Sequence, residues 1–270
     1  MPIASLNAAR LFYQEQGSGS PILFIHGTGA DSDIWSAGIG ALGGEYRCIA
    51  YDRRGYARSP LPAGESIGSE ANDAAALLDL LGAAPAMIVG HSLGGVIALE
   101  LAVEHPNLVA GLLLIEPPLH ARLQRRPDLA AVRAMISVHV LRLLGSRRAG
   151  AERFLRWAYA ADPLIGGYEH MPGVARAAEE NYETILHELG LGTGEHLTAE
   201  RLGSIAVPAT VLLGDRTADG MRRLVTDAAA MIPGTELRVV AGASHGLHIT
   251  HPDGFIDAIR SVSRRQGTSR

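Results

Sequence analysis

The sequence predicts an α/β fold: a mostly parallel wound sheet of about eight strands, helices on both faces, and a helical lid insertion. Three observations lead there. Short apolar runs alternate with helical stripes from Pro21 to Ile115 and resume at Val207, the pattern of strands buried on both faces of a parallel sheet and joined by crossover helices. The hexapeptide Gly90-His91-Ser92-Leu93-Gly94-Gly95 lies between such a run and a helical stripe, where a sharp strand–turn–helix junction belongs. Residues 120–204 break the rhythm with helical stripes and no convincing strand, so they read as an insertion between two strands. The expected organisation is a core of residues 1–118 and 205–270, with residues 119–204 forming the lid.

The elements follow in order. Ile3 to Leu6 and Arg10 to Gln16 read as a hairpin turning near Asn7-Ala8 and closed by Gly17-Ser18-Gly19. Pro21 to Ile25 is a buried strand ending in His26-Gly27-Thr28-Gly29. Asp33 to Leu42 has helical spacing, Arg47 to Tyr51 is a strand, and Asp52-Arg53-Arg54-Gly55 is a polar turn. Glu65 to Leu81 carries a stripe of Ile67, Ala71, Ala74, Leu77, Leu78 and Leu81, and Gly82 ends it. Ala86 to Val89 leads into the glycine-rich turn, and Leu112 to Ile115 is a strand stopped by Glu116-Pro117-Pro118. In the insertion the stripes are Leu129, Val132, Ile136, Val140 and Leu143; Phe154, Trp157 and Ala161; and Val174, Ala178, Tyr182, Ile185 and Leu189. Val207 to Leu213 and Leu237 to Val240 complete the sheet; Met221 to Met231 and Phe255 to Val262 are helices, and the polar tail from Arg264 is expected to fray.

Composition narrows the function. The chain has 270 residues, 47% hydrophobic and 19% charged, with a net charge of −4, which provides no basic field for nucleic acid or an anionic membrane. All 24 basic residues other than histidine are Arg. Cys48 is the single cysteine, in an apolar run, so neither an internal disulfide nor a cysteine metal cage is expected. No apolar stretch approaches the roughly 20 residues that cross a bilayer, and a cytoplasmic protein is the expectation.

Ser92 has the setting of an activated nucleophile. Glycines at 90 and 94 permit a tight turn with the hydroxyl at its apex, and a helix begins immediately after it, so amide N–H groups face any negative charge that develops there. A serine hydroxyl needs a base. His245 is the candidate, in the glycine-bounded loop Gly242-Ala243-Ser244-His245-Gly246 after the last strand. His245, His248 and His251 recur every three residues, yet a loop carrying Pro252 has no helix to align them, and no metal site is assigned.

Together, His26-Gly27-Thr28-Gly29, Asp52-Arg53-Arg54-Gly55 with Ser59, the turn around Ser92 and Gly242 to Gly246 resemble the α/β-hydrolase superfamily, in particular its small capped bacterial serine hydrolases of esterase and lactonase type. The resemblance runs from about Arg10 to Phe255 and implies a Ser-His-acid triad with Ser92 and His245. In most relatives of that kind an Asp stands three residues after the Gly that ends the strand matching Val207–Leu213; here that position is Thr217. Glu116, at the end of the preceding strand, is the expected replacement, as in haloalkane dehalogenases and zearalenone-type lactonases, which carry their acid at this strand end. Asp219 or Asp215 is the alternative. A carboxylate straight after four buried aliphatics is costly without a partner, which favours Glu116.

The resemblance further implies an oxyanion hole from the backbone N–H groups of Thr28 and Leu93. Gly27, Trp35, His91 and Trp157 are the candidate pocket residues, with core packing the alternative for Trp35 and a packing and hydrogen-bonding role the reading for His91 beside the nucleophile. The expected activity is cleavage of a carboxylic ester or lactone through an acyl-enzyme, without a cofactor, on a small molecule with an apolar part. The protein could form a homodimer. The alternatives are a carbon–carbon bond hydrolase, a cofactor-free haloperoxidase-like or biosynthetic tailoring enzyme, and, outside catalysis, a ligand receptor on a hydrolase fold.

Overall fold

The computed structural model describes residues 2–6, 9–61, 70–120, 128–159, 164, 166–191 and 193–268. Among the described residues eight strands form one sheet: β1 (Ile3–Leu6), β2 (Ala9–Gln16), β3 (Ser20–Ile25), β4 (Tyr46–Tyr51), β5 (Ala86–His91), β6 (Val109–Ile115), β7 (Ala209–Gly214) and β8 (Glu236–Val240). Their order is β1-β2-β4-β3-β5-β6-β7-β8. The β1–β2 and β2–β4 pairs are antiparallel and all other neighbours are parallel. The helices are α1 (Ser36–Leu42), α2 (Glu70–Leu80), α3 (Leu93–Glu104), α4 (Leu129–Leu143), α5 (Arg147–Tyr159), α6 (Pro172–Glu180), α7 (Tyr182–Glu188), α8 (Ala199–Gly203), α9 (Asp219–Met231), α10 (Leu247–Thr250) and α11 (Pro252–Thr268). None of these is long and apolar enough to cross a membrane.

The continuous apolar runs are explained by two cores, one on each face of the sheet. Side chains alternate across a strand, so Leu23, Ile25, Ile88, Leu112 and Leu114 enter one core with α2, α3 and α9. Ile22, Phe24, Met87, Val89, Leu113 and Ile115 enter the other, with α1 and α11. Every residue of β5 is buried, and β5 lies between β3 and β6. The turn around Ser92 therefore springs from the centre of the sheet.

The chain between β6 and β7 contains α4 to α8 and no strand among its described residues. These helices have an apolar core of their own, built from Val138, Ala151, Leu155, Tyr159, Val174, Ala178 and Ile185, into which Ala30, after β3, and Tyr56, after β4, intrude.

Several boundaries differ from expectation. The stretch Asp33 to Leu42 divides into a 3-10 turn, Ser32–Trp35, and α1, because the Asp31 side chain accepts the Asp33 N–H at 3.0 Å and starts the turn early. The second helix is described from Glu70; its expected start at Glu65 and the stripe residue Ile67 lie outside the described residues, as do Asn7, Ala8 and Ala161. The tail does not fray at Arg264, because α11 continues to Thr268 and the Arg265 guanidinium donates to the Ala209 carbonyl at 3.1 Å. The α4 stripe is not the buried face of the helix: Leu129, Ile136, Val140 and Leu143 are exposed and Val132 is half-buried, with Val132 and Ile136 bordering a cavity, while the smaller Ala134 and Val138 are the buried residues of the helix.

These burial differences set a stability order. Leu23→Ala, at a fully buried position of β3, is expected to cost about 2–5 kcal/mol. Leu237→Ala, on the half-open edge strand β8, is expected to cost under about 1 kcal/mol. Urea unfolding midpoints of the two variants measure the difference.

Candidate active site

The turn after β5 is a strained one. Ser92 has φ 53 and ψ −122, in a region that a residue with a side chain enters only when its surroundings hold it there. Those surroundings are tight: a β-carbon on Gly90 would stand 2.3 Å from the Gly94 carbonyl oxygen, and one on Gly94 would stand 2.2 Å from that of Ile25. The Ser92 N–H donates to the Ile115 carbonyl at 2.8 Å, which ties the turn to β6. Helix α3 begins at the next residue, Leu93.

Glu116 follows β6 and is fully buried. It too has a left-handed backbone, with φ 47. Its Oε1 accepts the Gly214 N–H at 2.8 Å and the Thr217 hydroxyl. Its Oε2 accepts the Nδ1–H of His245 at 2.9 Å. Three donors thus satisfy the oxygens of this buried carboxylate. The aspartates considered at sequence level lie elsewhere: Asp215 is exposed and accepts the Gly242 N–H at 2.8 Å, and Asp219 is exposed in the first turn of α9. Thr217, in the position where an acid was expected, is a hydrogen-bond donor to Glu116.

With Nδ1–H engaged, His245 presents Nε2 as its basic nitrogen. Ser92, Glu116 and His245 all line one cavity of about 630 Å³, together with Thr28, Leu93 and Trp157. Its remaining wall is largely apolar, with Met135, Ile136 and Phe154 from the insertion and Met221 and Leu224 from α9. Among the described residues no hydrogen bond engages the backbone N–H of Thr28 or of Leu93. The direction of the Thr28 N–H is nevertheless set. The Arg53 N–H donates to His26 Nε2 at 2.9 Å, which makes Nδ1 the protonated nitrogen, and Nδ1–H donates to the Gly27 carbonyl at 2.8 Å. That carbonyl shares a planar peptide with the Thr28 N–H, so fixing one aims the other in the opposite direction.

Three of the residues expected at the pocket are not part of its wall. Gly27 is buried against the Ser92 β-carbon and the His91 ring. Trp35 points into the sheet core, where its ring lies 5.4 Å from that of Phe24 and 6.0 Å from that of Phe255. His91 alternates to the same side, as the side chain before the turn must. Its Nε2–H donates to the His245 carbonyl at 2.9 Å, so it braces the histidine loop from behind. His248 was not singled out as a site residue from the sequence, yet it completes a stack of rings: Trp35 to His248 at 4.7 Å, His248 to His91 at 4.4 Å and His91 to His245 at 4.6 Å. The spacing of His245 and His248 was visible but pointed to no site, because no helix was expected there; in the structure His248 lies on the short helix α10 and Pro252 opens α11. The structure sends the two rings to different places, and among the described residues no group of three potential ligands could hold a metal ion.

Burial drives these imidazoles toward the neutral form. It lowers His248 to about 3, with the His245 ring adding to the effect. It lowers His26 to about 3, with Arg53 adding. His91 is pushed well below the ordinary imidazole value by burial and then by His248 and His245.

Comparison with known proteins gives a consistent result. A model of the alpha/beta hydrolase family matches residues 22–258. A putative carbamate hydrolase of Azorhizobium caulinodans is 31% identical over 269 residues, covering 94% of this chain and 95% of its own. A non-heme chloroperoxidase of Streptomyces lividans is 29% identical, covering 93% and 95%. Among solved structures, Est816, described as an N-acyl homoserine lactone degrading enzyme, superposes with a TM-score of 0.75 at 27% identity, covering 96% of this chain and 99% of its own.

The buried histidines generate a pH dependence. In the unfolded chain each titrates near 6.5, whereas in the folded protein each stays neutral to much lower pH. The unfolded state therefore binds more protons in that window. Stability is full above about pH 6.5 and falls as the pH drops toward about 3, by up to about 1.4 kcal/mol per pH unit for each imidazole. Urea midpoints between pH 7.5 and 5 are expected to show this loss, with a shallower slope in His248→Phe. An unchanged slope in that variant contradicts the assignment.

Proposed function

This chain belongs to the alpha/beta hydrolase family, and on that premise we propose that it is a serine hydrolase that cleaves a carboxylic ester or lactone through an acyl-enzyme. The observation that carries this reading is the Glu116–His245 hydrogen bond at the edge of the cavity that Ser92 also lines. Ser92 Oγ attacks the substrate carbonyl carbon while His245 Nε2 takes its proton, and Glu116 stabilises the resulting imidazolium without taking the Nδ1 proton. The carbonyl oxygen becomes an oxyanion, held by the N–H groups of Thr28 and Leu93. Collapse of the tetrahedral intermediate breaks the bond to the leaving alcohol, which receives the proton from His245 Nε2. A water molecule, deprotonated by the same nitrogen, then attacks the acyl-enzyme; the bond to Ser92 Oγ breaks, that oxygen takes the proton back from His245 Nε2, and the acid is released. In a lactone the alcohol remains tethered to the acyl group, and the product is a hydroxy acid.

The substrate class follows from the walls. Met135, Ile136, Phe154, Trp157, Met221 and Leu224 around the cavity favour a substrate with an apolar body on its acyl or alcohol side. Residues 119–204 act as a cap that supplies part of this wall. The likeness to an N-acyl homoserine lactone degrading enzyme supports a lactone as one acyl donor. The relation to a putative carbamate hydrolase favours a second, a carbamate, whose carbonyl would meet the same groups.

A fluorophosphonate probe is expected to label Ser92, and Ser92→Ala to abolish both labelling and turnover of p-nitrophenyl esters. Glu116→Gln is expected to lower kcat by about a thousandfold or more, whereas Asp215→Asn and Asp219→Asn leave it essentially unchanged. Loss of turnover in Asp219→Asn with retention in Glu116→Gln would contradict the assignment of the acid.

A further inference from the structure

A buried chain of polar contacts runs from the insertion to the loop that carries Thr28. Glu188, the last residue of α7, is 5% exposed and borders the cavity. Its Oε2 accepts a hydrogen bond from the Tyr56 hydroxyl at 2.8 Å, and its Oε1 lies 2.9 Å from Nη2 of the fully buried Arg53. The Tyr56 oxygen in turn accepts the N–H of Gly29 at 3.1 Å. On its other side Arg53 donates to both oxygens of Glu70, at 2.8 and 2.7 Å. The turn that carries Arg53 and Tyr56 is clamped to the insertion as well. Asn181 Nδ2 and Thr184 Oγ1 donate to the Gly55 carbonyl at 3.0 and 2.9 Å, and Asn181 Oδ1 accepts the Ala57 N–H at 3.0 Å.

Proton counting gives this chain a direction. A phenol has one proton and two lone pairs. Glu188, ion-paired with Arg53, is an acceptor only, so the Tyr56 proton goes to it, and the lone pairs of that oxygen are left for the Gly29 N–H. We propose that Glu188 is a positioning residue for the chemistry at Ser92: by taking the Tyr56 proton it makes the phenol oxygen an acceptor for Gly29, and so holds the Thr28–Gly29 segment with the Thr28 N–H facing the developing oxyanion. This rests on the reading of Thr28 as an oxyanion donor. His26 fixes the peptide before Thr28 from the sheet side, and Tyr56 fixes the peptide after it. The second anchor belongs to the insertion, so seating α7 and completing the oxyanion hole are one structural event, and the insertion has a role in the chemical step besides lining the cavity.

Two matched ligands separate this role from a merely structural one. Benzylacetone binds as a ground-state ketone, whereas its trifluoromethyl counterpart adds a serine hydroxyl and places an oxyanion in the hole. Tyr56→Phe and Glu188→Gln are each expected to lower kcat on p-nitrophenyl butyrate about tenfold. Each should weaken the trifluoromethyl ketone by the same factor and leave benzylacetone within about twofold of the parent. Because both variants cut one chain, the double variant should be no worse than the more impaired single one. Unchanged kcat, equal weakening of both ketones, or losses that multiply in the double variant would each overturn the proposal. Should Glu188→Gln fail to fold, Tyr56→Phe, which keeps the Arg53–Glu188 contact, decides alone. A parent protein that binds the two ketones alike overturns the oxyanion-hole reading and this proposal with it. A parent that distinguishes them, with variants that lose nothing, overturns this proposal only.

Discussion

The Glu116–His245 hydrogen bond is the contact on which the rest of the site depends. A carboxylate with no solvent exposure is tolerable only if its oxygens are satisfied, and here the donors come from three separate segments: Gly214 at the end of β7, Thr217 in the turn that follows, and His245 in the loop after β8. The parallel sheet makes this possible. Strands β5 to β8 end on one edge, so the turn at Ser92, the carboxylate after β6 and the histidine loop meet although long stretches of chain separate them. The insertion leaves the sheet at this edge, just after Glu116, and the chain then crosses to the opposite edge to enter β7, which runs parallel to β6.

Strain is concentrated where that edge does its work. Ser92 and Glu116 both hold left-handed backbones, each costing of order 1–3 kcal/mol, and both follow strands whose residues are almost all buried. The two sheet cores hold the strand ends rigid enough to retain these conformations. Behind the site, the ring stack from Trp35 through His248 and His91 supports His245 with neutral groups, which adds no charge beside the imidazole at neutral pH. In front of it, the insertion reaches the Thr28 loop through Tyr56.

Much of this was legible in the residues themselves. Apolar runs such as Pro21 to Ile25 and Leu112 to Ile115 announce strands buried on both faces, because only such strands can do without polar alternation. Glu116 stood out for the same reason, as a carboxylate directly after four aliphatics. What escaped was the direction in which side chains point once elements are packed. Trp35 suits the pocket and the core equally by its sequence, and turn geometry, which no local pattern encodes, sends it into the core. The apolar stripe of α4 correctly signals a helix, but Ala134 and Val138 were chosen for burial over the larger stripe residues, which tertiary packing alone decides. Glu188 reads as an ordinary helix-end carboxylate. Its partners Tyr56 and Arg53 are more than 130 residues away in the chain, and no sequence signal would have joined them.

The central claim is that Glu116, and neither Asp215 nor Asp219, holds the proton-bearing nitrogen of His245. Proton NMR of the resting protein tests it most directly, because an imidazole Nδ1–H bonded to a buried carboxylate gives a far-downfield resonance protected from exchange. The account predicts that this resonance persists in Asp215→Asn and Asp219→Asn and is lost or moved upfield in Glu116→Gln. A resonance that survives in Glu116→Gln and disappears in Asp219→Asn would contradict it.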